Sequence, residues 1–252
     1  MKLVTVSSKT IIDRFKNNED ILLVYPLNSY TVGFTLTFDI NEIDGFVLIN
    51  RILDDFDLDK LDKILHQNSN IKGIIFDDLG ILELVKDLSI IKILSINHYG
   101  VNTRSINYYL EYVDSVIVSN DITKDEILNI VENANKKLVL NVFGLKDLMY
   151  SRRRLLTNYA TYYKIDNINP LDVYIDESSF KIVENEYGTV FYAKKYYNAL
   201  ELLNTKNVLY YWYNPIFLPD ELVVQIVENN DTTNIDCDSL FLDKPTSYRI
   251  GD

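Results

Sequence analysis

Gly73-Ile74-Ile75-Phe76-Asp77-Asp78-Leu79-Gly80 sets a run of apolar residues directly against two carboxylates and a glycine. A short unbroken apolar run of this kind reads as a strand covered on both faces, and the carboxylates mark its exit toward a helix. Comparable runs rich in Val and Ile recur at Leu3–Val6, Ile21–Tyr25, Thr31–Phe38, Phe46–Asn50, Ile90–Ile96, Ser115–Ser119 and Leu138–Phe143. Helical periodicity fills the gaps: Leu58, Leu61, Ile64 and Leu65 share one face, as do Ile106, Tyr109, Leu110 and Val113. Thr123 and Glu126 form a capping box ahead of the apolar face of Ile127, Ile130, Val131 and Ala134. Strands alternating with helices predict an α/β fold on a parallel sheet. Eight strands in 252 residues suit a single barrel, and no repeat or linker divides the chain. One domain over 1–252 is expected, with a polar tail over 228–252.

After Phe143 the pattern changes. A long helix is expected over Lys146–Tyr163, then a turn at Asn169-Pro170 and a hairpin of Ser179–Asn185 against Thr189–Tyr192 around Tyr187-Gly188. A strand at Val208–Tyr213 and a helix opening at Pro219 follow. Strand alternation sends about half of Tyr210-Tyr211-Trp212-Tyr213 into a core, a better account of these rings than a platform for stacking bases.

Composition removes several function classes. The chain is 47% hydrophobic and 25% charged, an ordinary globular balance that excludes intrinsic disorder. Only 8 Gly residues leave few positions for a phosphate-cradling loop. A net charge of −12 repels nucleic acid except at the local Arg152–Arg154 patch. The single cysteine, Cys237, cannot ligate an iron-sulfur cluster or a structural zinc alone, and its acidic neighbours Asp236 and Asp238 weaken it as a nucleophile. That cysteine usage, with no membrane-length apolar segment and no leader-like start, fits a cytoplasmic protein.

The familiar hydrolase and dinucleotide signatures, G-x-S-x-G, H-E-x-x-H, G-x-G-x-x-G and C-x-x-C, are missing. Of two histidines, His66 ends an amphipathic helix, where a cation suits the dipole, whereas His98 follows a strand and falls where a barrel's catalytic rim would be. Asp77 and Asp78 fall at a strand end in the same way, although Asp78 is equally placed to cap the next helix, as Asn102 is for its own. On the expected helix Ser151, Arg154 and Asn158 share one side, while Arg153 points with Met149 and Leu156 toward drier surroundings. A guanidinium there needs a partner, and Asp77, Asp78 and Asp121 are the candidates.

The stretch Phe143-Gly144, Met149 and Ser151-Arg152-Arg153-Arg154-Leu155-Leu156-Thr157-Asn158-Tyr159 resembles the motif region of the collagenase-like peptidases, peptidase family U32, in the short cysteine-poor form of low-GC bacteria. Val47-Leu48-Ile49-Asn50, the Gly73–Ile81 strand and turn, Asn102 and Ser119-Asn120-Asp121-Ile122-Thr123 match the family in order and spacing. Weaker agreement lies at Glu184–Gly188 and Phe241–Ile250.

The resemblance implies a TIM-barrel-like α/β fold with a C-terminal hairpin and tail, and a peptidase of undefined catalytic type acting at the barrel's C-terminal rim. Wider family members hydroxylate RNA bases or quinone precursors with cysteine-bound iron-sulfur clusters. Here Arg154 stands where those members carry a cysteine, and Asp121 where a Glu is usual. No iron-sulfur cluster is expected, and a divalent metal is an open option for activating water.

The catalytic candidates are Asp77, Asp78, Asp121 and Arg153, with Arg153 on a carboxylate or oxyanion and an Asp as general base; the substrate-binding candidates are Asn50, His98, Asn102, Ser151, Asn158 and Tyr159. A peptide or small-molecule ligand, no membrane partner, and a dimer as an option are the expected associations. The alternative is a non-catalytic binding module or a partner subunit in an RNA-modification assembly.

Overall fold

The computed structural model describes residues 1–67, 70–175 and 178–244. In chain order the elements are β1 (Lys2–Thr5), α1 (Lys9–Phe15), β2 (Ile21–Pro26), β3 (Phe46–Ile49), α2 (Asp55–Leu65), β4 (Gly73–Phe76), α3 (Ile81–Val85) and β5 (Ile91–Ser95). Then come α4 (Thr103–Tyr109), β6 (Ser115–Val118), α5 (Lys124–Asn133), β7 (Leu138–Ser151), α6 (Leu155–Tyr163), β8 (Leu171–Ile175), β9 (Ser178–Asn185) and β10 (Gly188–Asn198). The last are β11 (Val208–Asn214), α7 (Asp220–Asn229) and β12 (Cys237–Asp238).

Strands β1 to β7 pair in parallel in sequence order, and β11 closes the ring by pairing in parallel with both β7 and β1. The result is a closed eight-stranded parallel barrel with intervening helices, the TIM-barrel-like α/β fold. Strands β3, β4 and β6 are buried at every position, which is why their sequences are apolar throughout and do not alternate. The helices behave as their sequences predict: Leu61 and Leu65 of α2 and Ile127, Ile130 and Val131 of α5 face the core. The Thr123–Glu126 capping box is present. No helix among the described residues is long and apolar enough to cross a membrane.

Two expected elements are different in the structure. Thr31–Phe38 is not a strand, and its only ladder contact is a bridge from Phe38 to Leu27. The Asn50 side chain accepts from Val32 N (2.9 Å) and donates to Val32 O (3.1 Å), so it satisfies the backbone groups that a neighbouring strand would have paired. The eighth barrel strand is instead β11, which brings Tyr210, Trp212 and Tyr213 into the core. Nor does a helix begin at Lys146. Strand β7 continues through Ser151, because beyond the barrel rim it pairs antiparallel with β10, and the helix starts only at Leu155. Tertiary pairing overrides local helical preference here.

Past the rim, β7, β10, β9 and β8 form an antiparallel extension that includes the expected hairpin. It spans the C-terminal mouth to the opposite rim, since β7 and β3 stand across the barrel from each other. There Asn185 Nδ2 donates to Thr31 O (2.9 Å) and Tyr192 Oη to Gly33 O (3.2 Å). Arg51, just after β3, stacks over the Tyr187 ring at 4.1 Å and donates to Ser29 O. Gly33 has φ +84°, and a Cβ at this position would lie 2.2 Å from Tyr192 Oη, so the close approach requires glycine. Residues 230–244 of the polar tail return to the barrel, where β12 pairs with β10 and Leu242 is buried. Residues 245–252 of that tail, and with them the end of the Phe241–Ile250 resemblance, lie outside the described residues.

Candidate active site

The ends of the barrel strands deliver polar side chains to one cavity under the hairpin, with about 670 Å³ of empty space including the part open to solvent. Its only charged lining residues among the described ones are Asp77, from the end of β4, and Asp147, from β7. Aromatic walls come from Phe34, Tyr192 and Trp212, and amides from Asn141 on β7 and Asn214 on β11. Alternation along β7 turns Leu145 and Asp147 into the cavity and leaves Lys146 on the other face.

Burial, reinforced by the charge of Asp147, pushes the Asp77 carboxyl up to about 8, although the Ser95 side chain favours its charged form. It is therefore a proton-carrying acid at neutral pH. Asp147 is exposed at the rim, where Asn97 Nδ2 donates to it across a long 3.5 Å contact. The side-chain oxygens of Asn141 and Asn214 are buried without a hydrogen-bond partner.

Beside the cavity, on the outer face of β7, lies a second cluster. The buried Lys146 ammonium donates to Asn120 Oδ1 (2.5 Å) and pairs with Asp121 Oδ1 (3.1 Å), and His98 Nδ1 meets Asp121 Oδ2 at 2.6 Å. Burial pulls the Asp121 carboxyl upward, but Lys146 and His98 together outweigh it and hold the group below its ordinary value. Asp121 is thus a fixed anion between two cations or donors, suited to orienting His98.

The other sequence candidates are placed as follows. Asp78 accepts from Leu53 N and Gly80 N, both at 2.9 Å, so its oxygens hold loops together. Asn102 caps α4 by accepting from Ser105 N, and Asn50 reaches the cavity wall while clamping Val32. Ser151 Oγ accepts from Arg153 N at the end of β7. Asn158 and Tyr159 are exposed on α6. Arg153 does not point into dry surroundings with Met149 and Leu156: it is exposed, and no ion pair among the described residues joins it to Asp77, Asp78 or Asp121.

Its neighbours carry the contacts, Arg152 to Asp54 at 3.7 Å and Arg154 to the buried Glu184 at 3.8 Å. Lys146 and Asp147 escape a sequence reading that treats 146–163 as helix, while Asn141 and Asn214 fall within and just after expected strands with no signal that marks them as cavity residues. Read as strand, Leu145-Lys146-Asp147 would have separated a cavity face from an outer face.

A family model for peptidase family U32 matches residues 39–167, half of the chain. The chain belongs to peptidase family U32. The U32 segment carries β3 to β7, and with them Asp77, Asp121, Lys146 and Asp147, whereas Trp212 and Asn214 come from β11 beyond it. Comparison with curated proteins and with solved structures yields no match.

The iron-sulfur cluster of some U32 relatives does not fit the residues present. Such a cluster takes several thiolates, and this U32 chain has only Cys237, whose thiol burial and Asp236 push up to about 11. Among the described residues no three or more His, Cys, Asp or Glu side chains gather to hold a metal ion.

Proposed function

We propose that this U32 protein hydrolyses amide bonds of peptides at the mouth of the barrel, with Asp77 and Asp147 dividing the acid and base work. The observation that supports this most is the pairing of an acid kept protonated near neutral pH with a second carboxylate in the same cavity. Two carboxyl groups in environments that differ this much are the usual basis for separate acid and base roles. In this reading Asp147 takes a proton from water as the water oxygen bonds to the carbonyl carbon. Asp77 gives its proton to the leaving nitrogen as the C–N bond breaks, and exchange with solvent resets both groups. Arg153 carries no step, because it does not line the cavity.

The test is mass-spectrometric detection of new termini in a peptide mixture at several pH values, with and without added divalent metal. Asp77→Asn and Asp147→Asn should each slow cleavage by about 100-fold or more, the range expected for losing a positioned acid or base. The rate should fall as pH rises through about 8, where Asp77 loses its proton. Cleavage unchanged in both variants would overturn the reading.

A second reading, a module that docks an anionic partner, draws on the exposed Arg153, which is outside every ion pair among the described residues. It predicts RNA or protein capture that weakens with salt and disappears in Arg153→Ala.

A further inference from the structure

At neutral pH Asp77 keeps its proton, so the charge that lines the cavity is the Asp147 carboxylate. The nearest buried cation, Lys146, lies on the other face of the strand and is taken by Asn120 and Asp121. The cavity therefore favours a positive over a negative ligand group.

The polar groups add a second requirement. The side-chain oxygens of Asn141 and Asn214 lie at the cavity wall, buried and without a donor, and Asn214 is 8% exposed. Buried acceptors left unpaired cost free energy, and a ligand with several N–H groups would satisfy them. A divalent metal fits less well, since the cavity brings only two carboxylates and no group of three potential anionic or imidazole ligands gathers among the described residues. The aromatic rings of Trp212, Tyr192 and Phe34 can pack against an apolar stem and favour a cation beside it.

We propose that the cavity binds a ligand carrying a protonated primary amine, its ammonium on the Asp147 carboxylate and further N–H donors of the same ligand on the amide oxygens of Asn141 and Asn214 deeper along the wall. It rests on the same cavity as the hydrolase reading but on a different use of it: an ammonium on Asp147 occupies the carboxylate that the reading employs as base, the position of an amine product or inhibitor. The ammonium could belong to a free amine, a peptide N-terminus or a lysine side chain, and the chemistry that recognises it is the same for all three.

The test uses the only tryptophan of the chain, Trp212, as a reporter built into the cavity wall. The full chain is titrated at pH 7 with butylammonium, glycinamide and Nα-acetyl-lysinamide, which represent the three sources, and with 1-butanol, butyrate and Ca²⁺ as controls. A saturable change in fluorescence is expected with at least one ammonium probe, and binding at least tenfold weaker with the alcohol and the carboxylate. Asp147 is exposed, so Asp147→Asn keeps the fold and should weaken ammonium binding at least tenfold. Asn214→Ala should weaken glycinamide and Nα-acetyl-lysinamide, which carry further N–H donors, more than butylammonium, with a melting curve to show that it folds.

Ammonium binding that is absent, unaffected by Asp147→Asn, or matched by butanol, butyrate or Ca²⁺ would overturn the proposal. Ammonium binding without any peptide cleavage would leave it standing and remove the hydrolase reading. Cleavage of peptides with no ammonium preference in the titration would do the reverse.

Discussion

Ionising Asp77 would place a second negative charge beside Asp147 in a confined space, and the folded protein resists it by raising the carboxyl from an ordinary 3.8 to about 8. The sign of the consequence for stability is set by which state holds the proton. Between about pH 4 and 8 the unfolded chain loses it while the folded chain keeps it, so stability falls as pH rises across that window and levels off above it. Asp77→Asn removes the difference. Its melting temperature should exceed that of the unmutated protein by a margin that grows from pH 5 to pH 8, in melts recorded at matched ionic strength. Asp121 works in the opposite direction: with its folded carboxyl held low, mainly by Lys146 against the pull of burial, its pairing is lost as pH falls into the acid range. Asp121→Asn should therefore flatten the acid limb and leave the alkaline one.

At the next scale, helix α6 has no side-chain cap of its own, since Arg154 occupies the capping position without accepting from the helix amides. The cap comes from β9: Glu184, 5% exposed, accepts from Leu156 N (2.7 Å), Thr157 N (3.1 Å) and the hydroxyls of Thr157 and Thr189. The negative carboxylate at a helix N-terminus also suits the dipole. Glu184→Ala leaves buried donors unpaired and should destabilise the protein by about 2–4 kcal/mol, with amide exchange rising first in α6. The Ser-Arg-Arg-Arg stretch that carries the family resemblance is thus partly a helix-entry device.

That outcome shows what the sequence made legible. Seven barrel strands follow from short apolar runs, because burial on both faces leaves a clear signature, and their ends place Asp77, Asp121 and His98 at the rim. Thr31–Phe38 has the same apolar look, yet apart from the bridge at Phe38 its backbone is met by the side chains of Asn50, Asn185 and Tyr192 and not by a strand ladder, a long-range fact that no local pattern encodes. The Lys146–Ser151 segment is composed of residues at home in helices, and only the distant β10 makes it a strand. Asp147 was hidden by that one reassignment, whereas the orphaned amides Asn141 and Asn214 show only once the strands are assembled into a barrel.

For the whole molecule, closure depends on β11, which arrives more than fifty residues after β7 and pairs with both β7 and β1. Trp212 Nε1 donates to Thr5 Oγ1 at 2.9 Å across that seam, in the barrel interior. A chain ending at Asn207 retains seven parallel strands with two open edges and loses Trp212 and the α7 helix that packs against α1. It should melt without a sharp cooperative transition and bind a dye for exposed apolar surface, where the full chain does not. The hairpin that spans the mouth makes two side-chain bonds to the far rim, and both end on main-chain carbonyls, those of Thr31 and Gly33. A carbonyl is offered by every amino acid, so the far loop is free to drift in sequence while the roof stays on, provided that one position remains glycine.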